Sequence, residues 1–243
     1  MKLEGMIQAA IDFWHPNRYQ LKKYLINDGK KHPFALICPG GGYSMVCSFV
    51  EGLPYARELN KRGYHAFVLY YHVKKKAKYP AVQLDVERAV KEINENAELW
   101  KVDTRCWSLW GSSAGGHLAA SYCTEPHVEL PAAIVLSYPV ITMSDDTHKG
   151  SAHYLLGKNP SDELRDKLSV EKNINENYPA TYVWWGSNDE LVDPVNSKKL
   201  IEALQEKGIT CRFHEFNGVG HGVGLGKNLS WFDEAIAFWE EQR

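Results

Sequence analysis

Six short apolar runs alternate with longer stretches of helical spacing, and this alternation is what most limits the folds open to the chain. The runs are FALIC (34–38), HAFVLYY (65–71), RCWSLW (105–110), AAIVLSY (132–138), ATYVWW (180–185) and TCRFHEF (210–216). Each is too short for a helix that buries itself and is rich in β-branched or aromatic residues, so each is expected to be a buried strand. Between them, residues 80–100 carry Val82, Val86, Val90, Ile93, Ala97 and Trp100 at helical spacing, after Pro80 at the first helical position. Residues 194–207 start at Pro194 and stop before Gly208. A last helix carries Trp231, Ala235, Phe238 and Trp239. Strands separated by helices imply an α/β fold, a mainly parallel sheet with helices on both faces. Chemistry in such folds gathers at the C-terminal ends of the strands. Residues 143–178 break the rhythm and are expected to form a small cap within a single domain spanning 1–243.

Charge excludes some partners. The chain has 243 residues and a net charge of -2, without the excess of Lys and Arg that a nucleic-acid partner demands. The one basic cluster, Lys74-Lys75-Lys76 with Lys78, reads as a solvated loop. The five cysteines are scattered, odd in number and without a CxxC pair. This argues against a zinc site or a disulfide framework and for a reducing compartment. Gln8 and Asp12 interrupt the apolar residues of the N-terminal stretch, which therefore does not read as a signal peptide. No run reaches membrane-spanning length. The expectation is a cytoplasmic protein with no membrane partner and no bound metal.

The stretch WGSSAGGHLAA (110–120) holds the strongest chemical signal. Gly111-Ser112-Ser113-Ala114-Gly115 matches G-x-S-x-G centred on Ser113, whereas Ser112 lacks the preceding glycine because position 110 is Trp. The match sits between a strand and a helix, the setting in which a sharp turn lifts a nucleophile clear of a sheet. The helix N-terminus there favours developing negative charge. A plain N-capping serine is the competing reading.

A serine hydroxyl needs a base, and the base an orienting acid. Among ten histidines, His117 lies one helical turn beyond Ser113 and reads as packing, while His65 and His214 fall within strands. His221 lies in NGVGHGVGLG, a glycine-rich loop just after the last strand, and is the candidate base. WGSNDELVDP offers Asp189, Glu190 and Asp193 for the acid. Asp189 follows the strand directly; Asp193 precedes Pro194 and suits a helix cap, which leaves it second choice. Oxyanion donors are expected from the backbone N–H groups of Gly41, Gly42 and Ala114, since Cys38-Pro39-Gly40-Gly41-Gly42-Tyr43 ends an early strand without side chains in the way. No Gly-Lys-Ser/Thr and no G-x-G-x-x-G is present, which argues against a nucleotide site.

With the PGGGY loop, GSSAGGH, the Gly-x-x-Asp turn and the terminal GHG in this order, the sequence resembles the α/β-hydrolase superfamily. More narrowly it is similar to the hormone-sensitive-lipase-like and the acetyl-xylan or feruloyl esterase-like carboxylesterases, from about Tyr19 to the C-terminus. The resemblance includes Pro80-Ala81 with Asp85 and the Leu155-Leu156-Gly157 segment. It implies a serine esterase with nucleophile Ser113, acid Asp189, base His221 and oxyanion donors Gly41, Gly42 and Ala114. No organic cofactor or metal is then required. The substrate it implies is a small-molecule ester of short acyl chain, with acetylated sugars or xylo-oligosaccharides foremost. Two departures stand out: Pro39 replaces the His that often precedes the glycines, and Tyr70-Tyr71-His72-Val73 replaces a Tyr-Arg-Leu-like segment. Asp85 is expected to be structural. Tyr43, Trp184 and Trp185 are expected near the top of the sheet, where they either touch substrate, Tyr43 first, or pack in the core. The same triad also serves peptidases, amidases and formamidases, and a binding protein can keep the fold without turnover. Sequence leaves the oligomeric state open.

Overall fold

A computed structural model describes residues 18–125 and 128–243; the N-terminal stretch considered above as a signal peptide lies outside the described residues. Seven strands form one sheet: β1 (Gln20–Tyr24), β2 (His32–Cys38), β3 (His65–Tyr70), β4 (Val102–Ser112), β5 (Ala133–Ser137), β6 (Ala180–Gly186) and β7 (Cys211–Phe216). Their order is β1-β3-β2-β4-β5-β6-β7. All neighbours from β3 to β7 run parallel, and only β1 pairs antiparallel, with Gln20 opposite Tyr70 and Tyr24 opposite Ala66. Strands β3 and β5 are buried at every position, as expected where helices cover both faces. Each of the six apolar runs falls on an observed strand.

The helices follow the apolar spacing. Helices α1 (Ser48–Glu51) and α2 (Leu53–Lys61) come between β2 and β3, and α3 (Ala81–Glu95) and α4 (Ala97–Trp100) between β3 and β4. The single helix expected over 80–100 is thus two, because the chain leaves helical geometry at Asn96, and Pro80 stands at the cap rather than inside the first turn. Helix α5 (Ser113–Tyr122) follows β4 without a loop and is buried along its whole length. Helices α6 (Lys149–Leu156) and α7 (Asp162–Leu168) occupy the segment between β5 and β6. Helix α8 (Val195–Glu206) precedes β7, and α9 (Trp231–Glu240) ends the described fold. Tyr55 of α2 meets Trp231 of α9 at 5.2 Å between ring centres, while Gln83 of α3 donates to Ser121 Oγ of α5 at 3.1 Å. Helix α2 thus packs with α9, and α3 with α5. Trp110, on β4, contributes to the first pair's core against Trp231 and Phe232.

His117 ties the sheet to the β5–β6 segment. It is fully buried; its Nε2–H donates to Leu168 O at 2.8 Å and its Nδ1 accepts from the Tyr43 hydroxyl at 2.8 Å. Burial pushes its pKa down to about 4. The imidazole is therefore held neutral in the native state while the unfolded chain titrates near 6.5. Because the folded pKa is the lower one, this contribution is complete above pH 6.5 and is lost as the pH falls toward 4. We expect chemical denaturation at pH 4.5 to show an excess loss of about 3 kcal/mol at most from this residue. His65, whose pKa burial also lowers, adds in the same direction. Comparing the pH 7.5-to-4.5 drop of the wild type with that of His117→Gln checks the assignment: the variant's drop will be smaller.

Candidate active site

The site forms where β4 turns into α5. Ser113 has φ 53°, a left-handed conformation that costs a non-glycine residue energy and is kept where the surroundings enforce it. The surroundings here are tight. A Cβ on Gly115 would stand 2.0 Å from Cys38 O, and one on Gly111 would stand 2.3 Å from Gly115 O. The flanking glycines are thus required by the close approach of β2, the turn and the helix, as the motif implies.

The loop after β7 carries His221 back over this turn. His221 Nε2 lies 2.9 Å from Ser113 Oγ, and its Nδ1 lies 2.6 Å from Asp189 Oδ2. An ionised carboxylate only accepts, so Nδ1 carries the proton and Nε2 is free to accept the serine hydroxyl. Asp189 is held in turn: its Oδ1 accepts the N–H groups of Leu191 at 3.0 Å and Val192 at 2.9 Å. Its side chain is 1% exposed and that of His221 12%. Asp193 instead accepts from Val195 N at 2.9 Å at the start of α8. The three residues singled out from the sequence are therefore within one hydrogen-bonded line. His214 lies in β7 with its ring stacked on Phe216, far from this role in both burial and partners. Asp85 accepts the backbone N–H and Nδ1 of His72, both at 2.8 Å, and so fastens the end of β3.

A cavity of ≈ 350 Å³ opens above the serine and is lined by Gly41, Gly42, Ser113 and His221. Among the described residues the N–H groups of Gly41 and Gly42 donate to no protein acceptor, and the Ala114 N–H lies in the unpaired first turn of α5. Gly40 differs: its N–H donates to Glu51 Oε2 at 2.6 Å. Met45, Val50 and Leu191 supply apolar wall, and His148 and Tyr154 reach in from the β5–β6 segment. His148 bonds Ser151 Oγ through Nδ1 at 2.8 Å. Burial, then the nearby His221 charge, lowers its pKa. A polar cleft of ≈ 400 Å³, bordered by Asp145, Asp146 and Glu190, shares His148 and Leu191 with the cavity.

One expectation needs correction, and the tryptophans take the core-packing alternative left open above. Tyr43 does not face the cavity: it is fully buried, with its hydroxyl on His117 and its ring edge-on to Tyr71 at 6.0 Å. Trp184 and Trp185 are 0% and 3% exposed, and Trp184 donates to Ser137 Oγ at 2.8 Å. All three aromatics serve the core. Conversely His148, Met45, Val50 and Leu191 line the cavity without having been singled out from the sequence.

The five cysteines are all free. Among the described residues no group of three or more His, Cys, Asp or Glu could hold a metal ion, and no helix is long and apolar enough to cross a membrane.

Sheet order, serine turn and glycine loop together define an α/β-hydrolase fold. The chain belongs to the BD-FAE family, which residues 24–204 match. It is 33% identical to endo-1,4-beta-xylanase B of Butyrivibrio fibrisolvens over 98% of this chain and 41% of that one. With an acetylxylan esterase of Xylanibacter ruminicola it shares 29% identity over 82% of this chain and 42% of that one. The chain thus spans about two fifths of the length of these curated relatives. Among solved structures, an acetyl ester-xyloside bifunctional hydrolase from Caldicellulosiruptor lactoaceticus superposes with a TM-score of 0.85 at 31% identity, covering 96% of this chain and 93% of that one. A carboxylesterase from Lactobacillus plantarum WCFS1 superposes with a TM-score of 0.75 at 26% identity, over 92% and 90% of the two chains.

Proposed function

We propose that this protein is a serine carboxylesterase that removes short acyl groups from esters, acetyl esters of sugars or xylo-oligosaccharides foremost. The observation that carries the reading is the line Asp189–His221–Ser113, with separations of 2.6 and 2.9 Å, beneath an open cavity. In this reading Ser113 Oγ attacks the ester carbonyl while His221 Nε2 takes its proton. Asp189 holds the imidazolium so formed. The N–H groups of Gly41, Gly42 and Ala114 donate hydrogen bonds to the oxyanion. The imidazolium then gives its proton to the departing alcohol oxygen, leaving Ser113 acylated. A water, deprotonated by His221, attacks the acyl carbon and restores the serine with release of the acid.

The acyl and alcohol sides are argued from the cavity walls. Met45, Val50 and Leu191 suit a small apolar acyl group, and the carboxylates of the adjoining cleft suit the hydroxyls of a sugar. The relatives named for acetylxylan esterase and acetyl ester-xyloside hydrolysis support the same choice. The segment 143–178, from which His148 and Tyr154 come, acts in this reading as a cap over a single domain. Five unpaired cysteines support a reducing compartment, the cytoplasm.

The test is a panel of acetyl, butyryl, octanoyl and feruloyl esters with acetylated xylo-oligosaccharides. Acetyl esters should exceed octanoyl esters in kcat/KM by roughly tenfold or more, the scale that a few misplaced methylenes command. A clear octanoyl preference would overturn the short-chain assignment, and turnover of amides alone would overturn the esterase reading.

A further inference from the structure

Glu51 closes α1 and is 4% exposed, an unusual place for a carboxylate. Two donors meet it. Gly40 N–H donates to Oε2 at 2.6 Å, and the Tyr138 hydroxyl donates to Oε1 at 2.7 Å. Tyr138 follows β5 at φ 38°. Its oxygen accepts Gly224 N–H at 3.2 Å, and its ring stands edge-on to the His221 imidazole at 4.7 Å. One carboxylate therefore joins the residue that opens the Gly40–Gly42 turn to the loop that carries His221. A Cβ added to Gly40 would meet Glu51 Oε2 at 2.7 Å and Ser113 Cβ at 2.8 Å, so the carboxylate lies directly behind the serine turn.

The chemistry of the bridge calls for an anion. Both partners are donors, and a carboxylate accepts on both oxygens, whereas an amide of the same shape would turn an NH2 toward one of them. Burying a charge is costly unless something uses it or compensates it. Burial raises the Glu51 pKa, while the bonds from Tyr138 and Gly40 and the charge on His221 oppose the rise.

We propose that Glu51 is a positioning residue of the site, which holds the oxyanion loop and the His221 loop in register through Gly40 and Tyr138 and whose charge stabilises the His221 imidazolium. This rests on the serine esterase reading above. Asp189 fixes the tautomer of His221; Glu51 adds a second negative charge within its field and ties the base to the loop that receives the oxyanion. The groups around His221 are then Asp189, Ser113, His148, Tyr138 and Glu51. Those around Glu51 are Tyr138, Cys47, Tyr55, Tyr71 and His221.

The variants Glu51→Gln and Tyr138→Phe test this through shifts of the same sign and different size on the acid side. Glu51→Gln removes the charge, so the His221 pKa and the acid limb of kcat/KM should both fall, by about 0.5–1 pH unit. Tyr138→Phe removes a donor to the carboxylate, so Glu51 protonates more readily, part of its charge is lost to His221 and the acid limb should fall as well, by less. In Glu51→Gln, kcat per active site, counted by fluorophosphonate titration, should drop by roughly 10- to 100-fold with KM within about threefold, since positioning acts on the transition state. Glu51→Asp should recover the His221 pKa. NMR titration of the His221 imidazole reads the coupling in resting protein, so it decides the Glu51 assignment even where no ester is turned over, an outcome that would sink only the function. If His221 titrates as in the wild type in Glu51→Gln, the proposal fails. Should Glu51→Gln not fold, an acid limb unmoved in Tyr138→Phe overturns it equally.

Discussion

Replacing Ser113 with alanine should lower ester turnover by at least about 10⁴-fold and abolish labelling by a fluorophosphonate probe, while the protein still folds. The size follows from what is removed. Without the hydroxyl no acyl-enzyme forms, and what persists is a water attacking an ester held beside the N–H groups of the glycine loop. Alanine keeps the Cβ packed beside Gly40 and relieves nothing else in the turn, so thermal stability should change little. His221→Ala should cost about as much, and the double variant little more than either, because the two groups act as one unit. Labelling that survives Ser113→Ala would assign the nucleophile elsewhere.

The second large effect concerns the acid. Asp189→Asn should reduce kcat/KM by about 10³–10⁴-fold, against less than about threefold for Asp193→Asn. An asparagine at 189 can keep its oxygen on the Leu191 and Val192 N–H groups, where Oδ1 now accepts. Its NH2 then faces His221 Nδ1, which must become the acceptor, and the proton moves to Nε2, where the base has to be free. The geometry survives and the tautomer is wrong. Asp193 holds only the first turn of α8, so its amide costs about 1 kcal/mol of stability at most. Steady-state kinetics of the two variants side by side separate the acids. Equal losses would mean that the wrong carboxylate had been assigned.

Much of this was legible because strand burial leaves long apolar runs and because the serine turn demands glycines at fixed spacing. The runs around Leu36, Val68 and Val135 could only be strands buried on both faces. Strand β1 escaped the sequence reading: QLKKY is half-buried at the sheet edge, and its lysines mask the pairing with β3. The split at Asn96 escaped for a similar reason, since Ala97 and Trp100 keep the helical spacing across the break. Ser113 and His221 could be named because each sits at a strand end among glycines. Glu51 could not, since an acid at the end of a short helix looks like an ordinary exposed residue, and its burial depends on Tyr138 arriving from the end of a strand, 87 residues away. The failure with Tyr43 has the same root: position beside the glycines suggested the cavity, but the ring turns to the hydroxyl-binding imidazole of His117.

The walls of the cavity come from different kinds of chain. Ser113 and His221 stand just past strand ends whose spacing the sheet dictates, with Asp189 behind them, whereas His148 and Tyr154 arrive on one contiguous segment between β5 and β6. Under the proposed esterase reading, exchanging residues 148–154 for another stretch should alter which alcohol is accepted while leaving Ser113, Asp189 and His221 where they are. The segment would then be one cassette for substrate choice, separable from the groups proposed to attack.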